Sequence, residues 1–234
     1  GKLRGHELHR SGTGSILNDA SFPTAPFARF DTMPQARQPW EIWVNNDGKR
    51  FMREDEPIQE TRAAKLVEQD QFRYAIVFDS DIFESSPPGV PGWTREKMGE
   101  HFNTHPMFHK ADSLDELAKL AGVSASGLKK TVKKYNKGVK SGSDEFGREH
   151  LPSLIDKAPY YAIIHLGSSA TSAVGITVDK ELRVVKENGD PIPNLYAVGE
   201  VMGSGATLGA VFTPGMMLTP ALTLGRELGL RLPI

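Results

Sequence analysis

Cysteine is missing from this chain of 234 residues. The absence excludes disulfides, thiolate metal sites, iron–sulfur clusters and haem attached through paired cysteines. Neither sign of charge is in excess, because 28 Lys and Arg face 29 Asp and Glu, for a formal net charge of −1. Without a basic excess, nucleic acid is not expected as a partner. No apolar run approaches the roughly 18 residues of a membrane span, and the N-terminus shows no signal-peptide pattern. We therefore expect a soluble globular chain, with a cytoplasmic location and no membrane span.

A dinucleotide fingerprint is also missing. Residues 203–209 are rich in glycine, but their spacing is not GxGxxG and no Walker lysine follows. This stretch leads from an expected strand toward an expected helix, whose N-terminus carries free N–H groups and partial positive charge. Two interpretations stay open from the residues alone. The stretch is either a tight loop that needs positive φ or part of a site for an anion or an electron-rich ring.

Three histidines, His101, His105 and His109, recur at intervals of four residues. On one helix they would share a face, but Pro106 breaks or kinks a helix there. Only Glu100 stands near them as a further ligand, which is too few for a metal site. We therefore interpret them as surface histidines and predict no metal site.

Patterning and capping residues predict both helices and strands. Residues 1–39 are expected to be irregular. The expected strands and the hairpin turns between them are, in order, strand 41–44, turn 45–48, strand 49–52, strand 74–78, strand 160–164, strand 175–179, turn 187–190 and a buried strand 195–199. The expected helices are 61–69, one capped by Ser113 and stopped by Gly122, one capped by Ser124, and a last one opened by Thr219 with Pro220 at its first position.

An ordered set of short motifs then carries a family resemblance. The motifs are residues 44–51, 110–118, 131–136, 146–148, 159–163, 196–200 and 219–226. In this order they resemble the flavoproteins of the fumarate reductase/succinate dehydrogenase family, which includes the 3-ketosteroid dehydrogenases. Each motif is weak alone, whereas the ordered set is specific.

The resemblance implies an α+β fold and FAD as the cofactor of the full-length protein. Residues 1–24 would be a connection from the FAD domain, 25–165 the cap (clamp) domain that helps bind substrate, and 166–234 the returning C-terminal part of a Rossmann-type FAD-binding domain. The N-terminal half of that domain, with its GxGxxG, is not in this sequence. We therefore expect a fragment or one chain of a split protein, inactive by itself.

The same resemblance implies cofactor-binding residues near the end of the chain. Gly199 and Glu200 match the part of the family near the ribityl and ribose groups. The start of the last helix would face the flavin pyrimidine, and its positive potential would stabilise negative charge at N1 and O2 of the reduced ring. The implied residues there are Gly215, Met216, Met217, Leu218 and Thr219.

The substrate-binding residues of fumarate reductases are not retained. The family's HPT histidine is Phe22, its HHTMGG stretch aligns with residues 170–175, and its NRLGGN arginine falls at Phe212. The implied pocket is lined by Phe22, Ala170, Thr171, Phe212 and Met216. Because a buried carboxylate without paired cations is very costly, this pocket favours a neutral or largely apolar small molecule.

Two arginines are the candidate catalytic residues. Arg37 matches a proton-relay arginine of the family, although Pro34 replaces the acidic relay partner. The family's general-acid arginine falls at Ile58, and Arg62 could substitute for it only if a gap is allowed. The ketosteroid dehydrogenases use a tyrosine in the Gly-rich loop, but no tyrosine follows Tyr196 here.

The leading hypothesis is a portion of an FAD-dependent oxidoreductase that moves a hydride between flavin N5 and an activated C–C bond of a neutral or apolar substrate. The alternatives are a non-catalytic cap and tail that acts as a binding or interaction module, and an enzyme closer to the ketosteroid dehydrogenases or the fumarate reductases. An unrelated α+β protein is the remaining interpretation. The expected macromolecular partner is the missing FAD half, or a second copy through the face left exposed without that half.

Overall fold

The computed structural model describes residues 1–5, 14–19, 24–167, 172–205, 215 and 217–232. The chain divides into two compact units. One, here called the central unit, is Thr13–Ser168. The other, the flanking unit, combines Gly1–Gly12 with Ser169–Ile234. Both units contain helices and antiparallel strands.

A four-stranded antiparallel sheet forms the centre of the central unit, with the strand order β4-β5-β7-β6. A separate pair, β2 and β3, precedes it in the chain. The strands of this unit are β2 (Ile16–Leu17), β3 (Pro26–Ala28), β4 (Ile42–Val44), β5 (Arg73–Asp79), β6 (Phe108–Ala111) and β7 (Tyr160–Leu166). The two long strands β5 and β7 pair along their whole length, and nearly all of their residues are buried, as apolar runs in a central strand predict.

The described part of the central unit also contains five α-helices: α1 (Gln59–Val67), α2 (Ser80–Ser85), α3 (Arg95–His101), α4 (Leu114–Ala121) and α5 (Ala125–Ser141). Their ends follow local capping chemistry. The side chains of Ser113 and Ser124 accept hydrogen bonds from the backbone N–H groups of Glu116 and Gly127, each at 3.2 Å. Gly122 ends α4 with φ of 64°, in the left-handed region that favours glycine.

The two faces of the sheet carry different side chains, because alternate residues of a strand point to opposite faces. Tyr74 and His165 are cross-strand partners on one face, where aromatic rings predominate. We call this the aromatic face. The other face bears Arg73 and His109 and lies under α4, which packs on β6 and β7. We call it the helical face.

Buried ion pairs join distant parts of the central unit. Glu54 accepts hydrogen bonds from Arg50 (2.7 and 2.6 Å) and from Arg148 (3.0 Å), and Asp144 accepts from Arg50 at 2.5 and 3.2 Å. All four side chains are at most 1% exposed. The set is electrically balanced, with two cations and two anions, as burial of charge requires.

The chain enters and leaves the central unit at neighbouring positions. Ser15 and Leu166 form an antiparallel bridge, with N···O distances of 2.9 Å and 3.2 Å in the two directions. The sequence did not indicate this pairing, since residues 1–39 were expected to be irregular.

The flanking unit contains two short antiparallel pairs, β1 with β8 and β9 with β10. Its elements are β1 (Leu3–Arg4), β8 (Gly175–Ile176), β9 (Arg183–Val185), β10 (Pro191–Tyr196), a 3-10 helix Gly199–Met202 and α6 (Leu218–Arg231). No helix in the described ranges is long and apolar enough to cross a bilayer.

Several expected elements differ from the structure. The turn at 45–48 forms, but residues 49–52 are not a strand, and β4 pairs with β5 instead. The expected strand 175–179 is reduced to β8. The expected buried strand 195–199 is wrong, because β10 ends at Tyr196 and most of its residues are exposed. Helix α6 begins one residue before Thr219, so Pro220 is its third residue, still within the first turn where a backbone N–H is not needed.

Candidate functional site

Residues predicted to bind the cofactor come together in the flanking unit. Gly199, Glu200 and Met217 line a small cleft between the 3-10 helix and the first turns of α6. Gly199 has φ of 79°, and among the described residues a Cβ there would approach only the Cβ of Ala221. The Glu200 side chain is exposed.

At the start of α6, the backbone N–H of Leu218 has no hydrogen-bond partner among the described residues. The N-cap of this helix, Met217, makes no side-chain capping bond, so the first N–H groups lack side-chain acceptors from that residue. Leu218 and Thr219 lie in this first turn, and the Thr219 N–H donates to the carbonyl oxygen of Gly215 at 2.9 Å. Gly215 has φ of 86°, a conformation that L-residues rarely adopt. Met216 lies outside the described residues.

The predicted substrate pocket lies outside the described residues. Its residues Phe22, Ala170, Thr171, Phe212 and Met216 all lie outside the described ranges. The apolar character of this pocket therefore stays a prediction from the sequence.

The Arg37 guanidinium has an anionic, a backbone and an aromatic partner in the central unit. Its Nη1 donates to both carboxylate oxygens of Glu41 at 3.0 Å, and its Nε donates to the carbonyl oxygen of Pro87 at 3.0 Å. The guanidinium also lies 5.0 Å from the ring centroid of Phe30. Sequence reasoning noted that Pro34 lacks an acid and missed Glu41, although the i, i+4 spacing could have found it.

Arg62 differs, because its guanidinium is buried and only partly satisfied. The residue is 2% exposed, and its Nη1 donates to the backbone carbonyl oxygen of Glu56. Its Nε and Nη2 are buried and have no hydrogen-bond partner among the described residues. Such unpaired buried donors are rare in proteins and costly, which marks a place where an acceptor fits.

The Arg62 side chain points toward the start of its own helix. Helical side chains lean toward the N-terminus of their helix, and the bond to Glu56 places the Arg62 guanidinium near the residues that precede α1. Ile58, at the aligned position, is 54% exposed and carries no functional group. The catalytic role of Arg62 stays a prediction from the sequence.

Arg29 and Tyr74 interact electrostatically with Arg62, and His165 contacts Tyr74. We call these four residues the Arg62 cluster: Arg29, Arg62, Tyr74 and His165. The Tyr74 hydroxyl lies 3.4 Å from Nδ1 of His165. Burial raises the pKa of Tyr74 far above its ordinary value, and burial lowers the pKa of His165 to about 3. Burial also lowers the pKa of Arg62, while nearby carboxylates oppose this shift and Arg29 adds to it. Sequence reasoning did not single out Tyr74 or His165, because each lies within an apolar strand.

The three spaced histidines are each partly exposed and do not share one helix face. His101 ends α3, and His105 stacks on Phe27 with ring centroids 4.5 Å apart. His109 lies on β6, so Pro106 separates two different elements. Within the described part of the chain, no group of three potential ligands could hold a metal ion.

Comparisons with known proteins point to one family. A family model described as an FAD binding domain matches residues 20–210. The chain is 31% identical over 189 residues to a fumarate reductase (cytochrome) of Shewanella frigidimarina, covering 80% of this chain and 31% of that protein. It is 44% identical over 108 residues to the 4-oxocyclohex-2-ene-1-carboxylate 5-dehydrogenase of Sinomonas cyclohexanicum, covering 38% and 18% respectively.

A solved structure shares the fold. The 3-ketosteroid delta1-dehydrogenase of Sterolibacterium denitrificans superposes with a TM-score of 0.69 at 23% identity, over 97% of this chain and 43% of that one. The chain spans less than a third of the length of the two curated relatives. The family match nevertheless covers most of the chain, which therefore belongs to the FAD-dependent fumarate reductase/succinate dehydrogenase flavoprotein family of oxidoreductases.

Proposed function

We propose that this chain supplies the cap domain and the returning segment of an FAD-dependent oxidoreductase that acts on an activated C–C bond. In this proposal the central unit is the cap, with boundaries near the expected 25–165, and the flanking unit belongs to the FAD domain. The substrate is a neutral or largely apolar small molecule whose reacting C–C bond is conjugated with an oxo group. The unpaired N–H groups of buried Arg62 carry this proposal.

The flanking unit fits the edge of a flavin. The start of α6 offers the Leu218 N–H as a donor together with the positive potential of a helix N-terminus, and Gly199 and Gly215 leave the backbone open to close approach. When bound, FAD supplies N5 as the hydride donor or acceptor. We propose that the first turn of α6 donates to the pyrimidine edge and that Glu200 accepts from ribityl or ribose hydroxyls.

Arg62 has two tasks in this proposal. Its Nε and Nη2 donate hydrogen bonds to the substrate's oxo oxygen, where negative charge grows when a hydride is added to the conjugated C–C bond or, in the reverse direction, when the α-proton is removed before the hydride leaves. A donor already fixed in a dry site needs no reorganisation as that charge develops. Its lowered pKa also makes the guanidinium a better proton donor than an exposed arginine. Two proteins similar to this chain are named for substrates that carry such an oxo group: a 4-oxocyclohex-2-ene-1-carboxylate dehydrogenase and a 3-ketosteroid dehydrogenase.

A polypeptide that completes the FAD domain is the partner we propose for α6. Leu218 and Leu222 lie one turn apart on this helix and are each 65% exposed. Helix α6 has no buried residue among those described. An apolar helix face of this kind is typical of an interface.

The test uses the complete gene product, recovered through a tag placed after α6. Bound FAD should give a resolved absorption band near about 450 nm. With the flavin reduced, cyclohex-2-enone should restore that band, and Arg62→Met should slow this step about 100-fold or more while the flavin stays bound. Arg62→Lys should recover part of the rate.

The matched control is Arg53→Met, which removes a partly exposed guanidinium of the same unit that is paired with Asp55 and Glu149. It should leave the rate within about twofold. A preparation without flavin would refute the proposed function. A flavoprotein in which Arg62→Met reacts as fast as the unchanged protein would refute only the role of Arg62.

A further inference from the structure

A second possible ligand site lies on the helical face of the sheet, away from the Arg62 cluster. It is a groove of about 410 Å³ between the C-terminal end of α4 and the ends of β5, β6 and β7. Arg73 and Tyr74 are adjacent in β5 and therefore point to opposite faces. The groove and the Arg62 cluster are thus separated by the sheet itself.

Most of the groove wall is apolar. Met107 and Ile164 are buried beneath it, while Leu120 is half-exposed and Leu166 partly exposed at its margin. A volume of this size lies within the range of small-molecule pockets, about 300–1,000 Å³, which are lined mainly by apolar side chains with a few polar groups.

Arg73 places an unbalanced positive charge in this wall. Its Nη1 donates to the Oδ1 atom of Asn46 at 2.6 Å, and its Nη2 donates to the carbonyl oxygen of Ala121. Both partners are neutral, and burial alone lowers the pKa of Arg73. No carboxylate among the described residues forms an ion pair with it. A half-buried guanidinium gains most from an anion that supplies the missing charge.

His109 provides a second polar group beside this charge. Its ring makes no hydrogen bond with the described residues, and its pKa is lowered by burial, then by the nearby charges of Arg73 and His105. The imidazole is therefore neutral near pH 7 and can donate one hydrogen bond. The groove offers one net positive charge and one neutral donor.

The rim of the groove is conformationally strained. Gln71 lines it, and both Gln71 and Phe72 have positive φ, 55° and 51°. Non-glycine residues in this region are uncommon, and two in succession are costly. Strain of this kind accumulates at ligand sites.

We propose that this groove binds a small molecule with an apolar body and a single carboxylate, the carboxylate pairing with Arg73 while His109 lines the same groove. A monoanion matches the one unbalanced charge, whereas a phosphate dianion would leave a negative charge in an apolar setting. The proposal does not depend on the flavin chemistry above, since it uses only residues of the helical face.

Titration calorimetry on the 234-residue chain tests it, with octanoate as the probe. Octanoate should bind with a stoichiometry of one, and octanamide, which keeps the body but lacks the charge, should bind at least about tenfold more weakly. Arg73→Met should weaken octanoate binding by at least about tenfold. Leu120→Trp, at a half-exposed margin position, should block the groove without removing a core side chain.

The control variant is Arg53→Met, which should bind octanoate as the unchanged chain does. Inorganic phosphate should not compete with octanoate at equal concentration. Undiminished octanoate binding in both Arg73→Met and Leu120→Trp would overturn the proposal, as would octanamide binding as tightly as octanoate. Absence of octanoate binding at millimolar concentration would overturn it as well. If Arg73→Met fails to fold, Leu120→Trp decides alone.

Discussion

Replacing Glu54 by Gln should destabilise the central unit by about 3–5 kcal/mol, the usual cost of breaking a buried ion pair from one side. The Glu54 carboxylate accepts four hydrogen bonds, two from Arg50, one from Arg148 and one from the backbone N–H of Trp43 at 3.1 Å. Gln has one acceptor oxygen, and its NH₂ group would face the guanidinium donors. The substitution also leaves Arg50 and Arg148 with only Asp144 to balance them, a net buried charge of one.

The loss can be measured in this unit alone. The three tryptophans, Trp40, Trp43 and Trp93, all lie in the central unit, so their fluorescence reports its unfolding. In a chain of this size, each kcal/mol lowers the midpoint of thermal unfolding by about 2–4 °C. Glu54→Gln should therefore lower that midpoint by roughly 6–20 °C.

A surface ion pair provides the matched control. Glu145 pairs with Lys134 at 2.8 Å, and both side chains are well exposed. Glu145→Gln should change the unfolding free energy by at most about 1 kcal/mol, because exposed pairs contribute little. If Glu54→Gln unfolds within 1 kcal/mol of the unchanged chain, the reasoning from burial and charge balance is refuted.

Three further predictions concern pH, packing and association. Burial holds the pKa of His165 near about 3, below its ordinary 6.5, so unfolding takes up a proton as the pH falls below 6.5. The stability that neutral His165 contributes is present above pH 6.5 and is lost toward pH 3 by up to about 1.4 kcal/mol per pH unit. His165→Asn should reduce this dependence of the unfolding free energy on pH, measured by urea unfolding. An unchanged dependence would contradict the assignment of the lowered pKa to His165. Gly127→Ala should destabilise the chain by about 1–3 kcal/mol, because its Cβ would overlap the carbonyl oxygen of Asp47. Gly225→Ala, in open space within α6, should stabilise that helix by about 0.5–1 kcal/mol, and equal effects at the two positions would refute the steric argument. The 234-residue chain should associate through α6 in light scattering, and Leu222→Glu should reduce this association; a monomeric unchanged chain would count against it.

Features set by neighbouring residues could be predicted from the sequence. The caps Ser113 and Ser124 and the stop at Gly122 depend on contacts within a few residues, and all three lie where they were expected. The face of α5 that contains Leu128 and Tyr135 is buried, because helical periodicity alone determines which residues share a face.

Features set by distant residues could not be predicted. Residues 49–52 follow a good hairpin turn, but Arg50 is drawn into ion pairs with Glu54 and with Asp144, 94 residues away. The same limit applies to β10, which was expected to be buried because it is apolar at its end, yet Leu195 is exposed. The hydrophobic pattern of a strand does not show whether another part of the chain packs against it and buries it.

The candidate site contains residues that the sequence indicated and residues that only the structure brings together. Arg62 was a candidate from the family resemblance, but the burial of its N–H groups without partners among the described residues depends on three-dimensional structure. Tyr74 and His165 meet across paired strands 91 residues apart. The pocket residues Phe22, Ala170, Thr171, Phe212 and Met216 and the cofactor-binding assignments stay predictions.

The bridge between Ser15 and Leu166 makes the central unit a transplantable module. Residues bridged in this way lie about 5 Å apart, a gap that one or two residues can close. Two cuts beside the bridge therefore release the central unit as one piece whose own ends are adjacent. In a gene, a unit with adjacent ends can be gained, lost or exchanged among relatives by a single insertion event.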